Sequence, residues 1–220
     1  MPARRILQHA FAFLALGSFA TVCALGCVDA EATFFVRNVA TFDDSCVCGG
    51  ETDTFISGGT FETVLGGDYA ACLVVVNGLD SLEDRTKPRA ETNFIEIYAV
   101  DVTLEGEGFT GSADCPASFT FPSKGFAEPE NQGSVIALAI PNCVTTQMQS
   151  SLEPGTTTTV IASFVVHGHT TGGDEVETPE YTFPISVGRS AFCGGEALEE
   201  GGAIPCRAGS DKPVPSNLCD

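Results

Sequence analysis

Residues 157–167 read Thr-Thr-Thr-Val-Ile-Ala-Ser-Phe-Val-Val-His, and residues 181–187 read Tyr-Thr-Phe-Pro-Ile-Ser-Val. In the first run Val160, Ala162, Phe164 and Val166 occupy the even positions, while Ser163 and His167 share the odd ones. In the second run Tyr181, Phe183, Ile185 and Val187 are the apolar set, with Thr182 and Ser186 between them. A period of two is the mark of a strand with one buried face, because successive side chains leave a pleated backbone on opposite sides. Gly172-Gly173-Asp174 stands between the two runs and supplies residues that tolerate the positive φ of a tight turn.

Working outward, Gly and Pro cut the chain into further short apolar pieces at 33–39, 54–64, 69–77, 93–105, 118–121 and 134–140. With 157–167 and 176–187 these make eight strand candidates. Gly66-Gly67-Asp68 is expected to form a second hairpin turn. Residues 93–105 change phase: Ile95 and Ile97 are odd, whereas Val100, Val102 and Leu104 are even, which predicts a β-bulge near Ala99. Only 143–152 offers a helical turn or two, ended by Pro154-Gly155. Eight strands without an alternating βα pattern predict an all-β fold, an antiparallel sandwich of Ig-like type over residues 33–193. Residues 194–220, with scattered Gly and Pro and two Cys, are expected to be an irregular tail stapled to it.

The 220 residues carry 29 Asp and Glu against 10 Lys and Arg, a net charge of −19. Such a chain is a poor ligand for nucleic acid and for anionic membrane surfaces. Its N-terminus has a different character. Arg4 and Arg5 precede an almost unbroken apolar run from Ala10 to Ala24, then Leu25-Gly26-Cys27. A charged start, a short apolar stretch and small residues ahead of the cut are the pattern of an export signal over residues 1–26. A cysteine after a small residue resembles a lipobox, which would make Cys27 the lipidated N-terminus, joined to the domain by a short tether, 27–32. Two other routes fit the same residues: ordinary cleavage after Ala30, or retention of residues 6–27 as a membrane-spanning helix. An acyl anchor at Cys27, palmitate among its chains, implies an exported protein of the cell envelope, held at the outer membrane.

Two of the ten cysteines, Cys23 and Cys27, belong to the leader and the anchor. The other eight, Cys46, Cys48, Cys72, Cys115, Cys143, Cys193, Cys206 and Cys219, form an even set in an exported chain and read as disulfides of open pairing.

Several features occur in a familiar order. They are Thr33-Phe34-Phe35-Val36 ahead of Cys46, Phe55-Ile56-Ser57-Gly58-Gly59 ahead of Tyr69, and Val74-Val75-Val76-Asn77-Gly78-Leu79. Glu180-Tyr181-Thr182-Phe183-Pro184-Ile185 follows, ahead of Cys193 and Pro205-Cys206. Together they resemble a group of uncharacterised, cysteine-rich lipoproteins of myxobacterial-type cell envelopes. That resemblance implies an anchored envelope protein with a sandwich body and carries over no catalytic residue.

His167-Gly168-His169 is the one histidine cluster beyond the leader. Positions i and i+2 of a strand share a face, so both rings could grip one metal, with Glu175 and Glu177 across the turn as oxygen ligands. Cys46-Val47-Cys48 would complete a set of four soft ligands if its thiols were free. The bland alternative is two exposed histidines decorating a hairpin. Acidic groups at Asp43-Asp44, Glu83-Asp84, Glu105-Gly106-Glu107 and Gly173-Asp174-Glu175 lack the spacing of a calcium loop and read as solvated turns. No Gly-x-Ser-x-Gly, His-Glu-x-x-His or phosphate-cradling motif occurs. His167, Asp174 and Glu175, with Ser163 on the His167 face, are what a catalytic reading would have to use. With no Trp and three Tyr, a sugar-stacking platform is thinly supplied. The expectation is therefore a non-enzymatic, cofactor-free envelope lipoprotein with a structural or protein-binding role, a basic envelope protein being the natural partner. The alternative is a metal-binding or metal-dependent protein built on His167 and His169.

Overall fold

The computed structural model describes residues 33–43, 46–48, 55–81, 90–195 and the backbone of 214 and 215, all within the unit Ala32–Asp220. The leader, Cys27, the tether 27–32, Cys206, Cys219 and most of the tail 194–220 lie outside the described residues.

Two sheets face each other. The first has the order β2 (Phe55–Ile56), β1 (Phe34–Ala40), β4 (Tyr69–Asn77), β7 (Asn131–Ile140). The second runs β3 (Gly59–Glu62), β10 (Tyr181–Arg189), β8 (Thr156–Thr170), β5 (Ile95–Gly106), β6 (Ser118–Ala127), with β9 (Glu175–Glu177) also on β8. Within these sheets every pairing is antiparallel except that of β3 with β10. The all-β sandwich expected from the alternating runs is the fold observed.

The core lies between the inner faces. Phe34, Leu73, Val75, Val135 and Ala137 from the first sheet meet Val100, Val102, Phe164, Val166, Phe183 and Ile185 from the second. Helix α1 (Asn142–Ser151) turns Val144 and Met148 into the same cluster. The inward set of β8 is Val160, Ala162, Phe164 and Val166, as the alternation requires.

The expected bulge is present. Ile97 pairs with Gly168 and Ala99 with His167, which leaves Tyr98 as the extra residue of β5. One residue inserted on one side keeps Ile95, Ile97, Val100, Val102 and Leu104 all buried despite their change of phase.

Other expectations are corrected. Residues 54–64 are not one strand: Phe55–Ile56 joins the first sheet and Gly59–Glu62 the second, after which Thr63–Leu65 forms a 3-10 turn. Gly66-Gly67-Asp68 therefore carries the chain across between sheets rather than closing a hairpin. Residues 176–187 divide at Thr178. Its amide donates to the Val166 carbonyl while its hydroxyl accepts from the Val166 amide, so a side-chain oxygen stands in for a backbone one before Pro179. The strand predicted at 118–121 extends to Ala127, because Pro122 and Gly125 are accommodated on an edge strand. The tail is not wholly irregular: β11 (Cys193–Gly195) pairs in parallel with β12 (Val214–Pro215).

The sheets are joined at one edge by the short β6–β7 connection, where backbones come close. A Cβ on Gly125 would lie 2.7 Å from the Ser134 carbonyl oxygen, and one on Gly133 would collide with that of Phe126. Nearby Asn77, fully buried, donates to the carbonyls of Asn93 and Ala127 and accepts from the Leu79 amide. That side chain ties the end of β4 to both edges of the corner.

Glu62, 1 % exposed, ends β3 inside the protein. Its carboxylate accepts from the amides of Ser190 at 2.7 Å, Ala191 at 2.9 Å and Phe192 at 3.1 Å, and more weakly from Val64 at 3.4 Å. Ser190 reaches this arrangement with φ 54°. Successive amides curled around one anion form a nest, here filled by the protein's own side chain.

Two disulfides staple loops to this frame. Cys48–Cys72 holds the segment after β1 against the outer face of the first sheet, where Ala40, Phe42 and Cys72 form a small second core. Cys115–Cys143 fastens the β5–β6 connection to α1. Cys46 and Cys193 are also disulfide-bonded. Six oxidised cysteines place the domain in an oxidising, extracytoplasmic environment. Among the described residues no helix is long and apolar enough to cross a membrane.

Candidate functional site

The outer face of the second sheet gathers the ionisable side chains. His167 and His169 leave β8 on the same side, as their spacing requires, and β9 lays Glu177 and Glu175 directly opposite them. On the other flank β5 places Glu96 opposite His169, and Asp101 opposite Val165, within reach of His167.

Each histidine has its own carboxylates. His167 Nε2 lies 2.9 Å from Asp101 Oδ2 and its Nδ1 3.7 Å from Glu177 Oε2, while His169 Nε2 lies 3.1 Å from Glu96 Oε2. Among the described residues no group of three or more His, Cys, Asp or Glu is arranged to hold a metal ion. The four-ligand set imagined with Cys46 and Cys48 is overturned, because both sulfurs are in disulfides and a bridged sulfur has no thiolate to offer. Ser163 does not serve His167 either; its hydroxyl donates to Glu180. Asp174 is a turn residue whose amide donates to the Thr170 hydroxyl.

Tyr98 is the residue that organises this face. The bulge turns it outward, with its ring centroid 6.3 Å from that of His167 and 6.0 Å from that of His169. Its hydroxyl donates to Glu175 Oε2 at 3.1 Å. That hydrogen bond to a carboxylate pushes the phenol upward, helped by desolvation and by the charges of Glu175, Asp101 and Glu177. Asp101 is moved the other way: the Thr120 hydroxyl, at 2.5 Å, holds its carboxyl below the usual range. Desolvation opposes this, and the hydrogen bond and charge of His167 reinforce it.

A carboxyl depressed in the folded state stabilises the fold above its unfolded value, and that contribution fades as pH falls through the folded value. Thr120→Val is therefore expected to raise the Asp101 titration midpoint toward an ordinary carboxylate, read by NMR titration of its carboxyl carbon. An unmoved midpoint would show that the Thr120 hydroxyl does not set it.

Beside Tyr98 a groove of about 580 Å³ lies over the paired strands β5 and β6. Glu96, Tyr98, His169, Lys124 and Phe126 line it, over a floor that includes Gly125. Tyr98 is 46 % exposed and Phe126 62 %. Sequence reasoning found the histidines and the carboxylates of β9 but not Glu96, Asp101, Tyr98, Lys124 or Phe126. The phase break at Ala99 was the signal available, since a bulge redirects a side chain, here that of Tyr98.

No known protein-family model matches the chain, and no curated protein matches it.

Proposed function

We propose that the protein is a non-enzymatic module of the cell envelope, anchored by lipid at Cys27 and working by binding another protein. The observation that carries this reading is the outer face of the second sheet, where two exposed aromatic rings stand among carboxylates and each histidine is already paired with acids. The disulfide frame suits a body that holds such a face rigid outside the cytoplasm. A lipid at Cys27 would leave only residues 28–33 before β1, about 20 Å when extended, so the domain would stand close to the bilayer. Removal of Arg4 and Arg5 with the leader makes the mature chain still more acidic, which favours a basic partner and disfavours anionic lipid as a second attachment.

Two measurements test it. Cells fed labelled palmitate should yield labelled protein, and Cys27→Ser should abolish the label; unchanged labelling removes the anchor. Cross-linking in intact cells should capture a discrete protein whose recovery from detergent extracts falls as salt is raised. Capture that is indifferent to salt would exclude a charge-driven partner.

A further inference from the structure

We infer that the groove over the outer face of β5 and β6 binds an extended basic segment of a partner protein, one lysine or arginine of which lies against Tyr98 and Phe126 with Glu96 as its carboxylate. This rests on the protein-binding reading and names the partner's chemistry.

Three observations converge on it. The first is apolar: Tyr98 and Phe126 are both large, exposed and on the same groove. Aromatic faces carry negative potential and attract ammonium and guanidinium groups, while their area covers the aliphatic stem of the same side chain. The second is electrostatic. Among the lining residues Glu96 is the carboxylate and Lys124 the one lysine or arginine, and beyond that lining Asp101 lies further along β5 and Glu175 and Glu177 lie on β9 across β8. An anionic occupant would face Glu96 with three more carboxylates nearby on the same sheet; a cationic one meets a complementary field. The third is geometric. Tyr98 stands out of the sheet because of the bulge, and the Glu175 hydrogen bond to its hydroxyl fixes the ring. A ring held in place before binding loses little freedom when a ligand arrives.

Lys124 gives the groove a polarity. On β6 it lies two residues from Phe126, beside the Tyr98 bulge, while Phe126 itself is opposite Glu96, and Glu96 is opposite His169 on β8. A cation is therefore favoured on the Glu96 side, and a bound segment needs a neutral or acidic residue opposite Lys124. Alternate basic and small polar residues meet that requirement.

The test uses the detergent-solubilised protein with its anchor intact and a fluorescent peptide of alternating arginine and serine, followed by anisotropy. A peptide of alternating glutamate and serine is the counterpart. Saturable binding of the first and none of the second is expected. Phe126→Ala and Glu96→Gln should each weaken it about five- to tenfold, whereas Glu153→Gln, on a distant turn, should change it less than twofold. Phe126 and Glu96 are exposed, so both variants should keep the wild-type denaturation midpoint, and Tyr98→Phe should keep the stacking while losing the hydroxyl. Equal weakening by Glu153→Gln, or indifference to Phe126→Ala, would overturn the groove in favour of diffuse charge attraction. If the peptide does not bind while cross-linking in cells still captures a protein, the groove assignment falls and the protein-binding reading stands.

Discussion

Glu62→Ala is expected to destabilise the domain by about 3–5 kcal/mol, the range for removing one partner from a buried charged network. The carboxylate is nearly inaccessible and receives the amides of Ser190, Ala191 and Phe192 together with that of Val64. Alanine leaves those donors facing a cavity, and each buried donor without an acceptor costs about 1–3 kcal/mol unless water enters. Glu62→Gln keeps the volume and one acceptor but turns an NH2 toward backbone donors, so an intermediate loss is expected. Urea denaturation reads both as lower midpoints at constant slope. A loss below about 1 kcal/mol for the alanine variant would mean that residues 190–192 are held by something else, and Glu62 would cease to be the lock of that turn.

The second large effect concerns the staples. Closing loops of 24 and 28 residues' separation restricts the unfolded chain, which in the chain-entropy account contributes about 3.5 kcal/mol per bridge. Measured values spread over about 2–4 kcal/mol because the unfolded reference retains structure. Cys48→Ala/Cys72→Ala and Cys115→Ala/Cys143→Ala should each fall in that range. The quadruple variant should approach additivity, since Cys48–Cys72 packs in the small second core and Cys115–Cys143 against the main one. Against a typical domain stability of about 5–15 kcal/mol, the quadruple variant would be marginal or unfolded. Shifts under 1 kcal/mol for both pairs would show that the core alone carries the fold and that the bridges act only against proteolysis.

What the sequence disclosed was whatever depends on neighbours along the chain. The inward sets of β8 and β10, the bulge in β5 and helix α1 all follow from local period and from Pro-Gly punctuation. What it hid depends on distant pairings. Glu62 looks like a solvated acid until residues 190–192 arrive to wrap it. Gly66-Gly67-Asp68 resembles hairpin chemistry, and only the tertiary course makes it a crossover. At the candidate site His167 and His169 were legible because they are two apart on one strand. Asp101 and Glu96 were not, because antiparallel pairing with β8 brings them there from about 66 and 73 residues away. Tyr98 was half legible: the bulge could be placed from the phase change, but not which ring it would lift out.

The parallel contact of β3 with β10 has a bearing on the order in which the molecule is made. Residues 59–62 find their sheet neighbours only at 185–188, and Glu62 its donors only at 190–192. During synthesis the early strand has no place to dock until nearly the whole body has emerged, and contacts of such sequence separation form slowly. The first sheet and the β5–β6 pair, all drawn from residues before 141, can form without them, so seating β3 and closing the turn around Glu62 are late steps of folding.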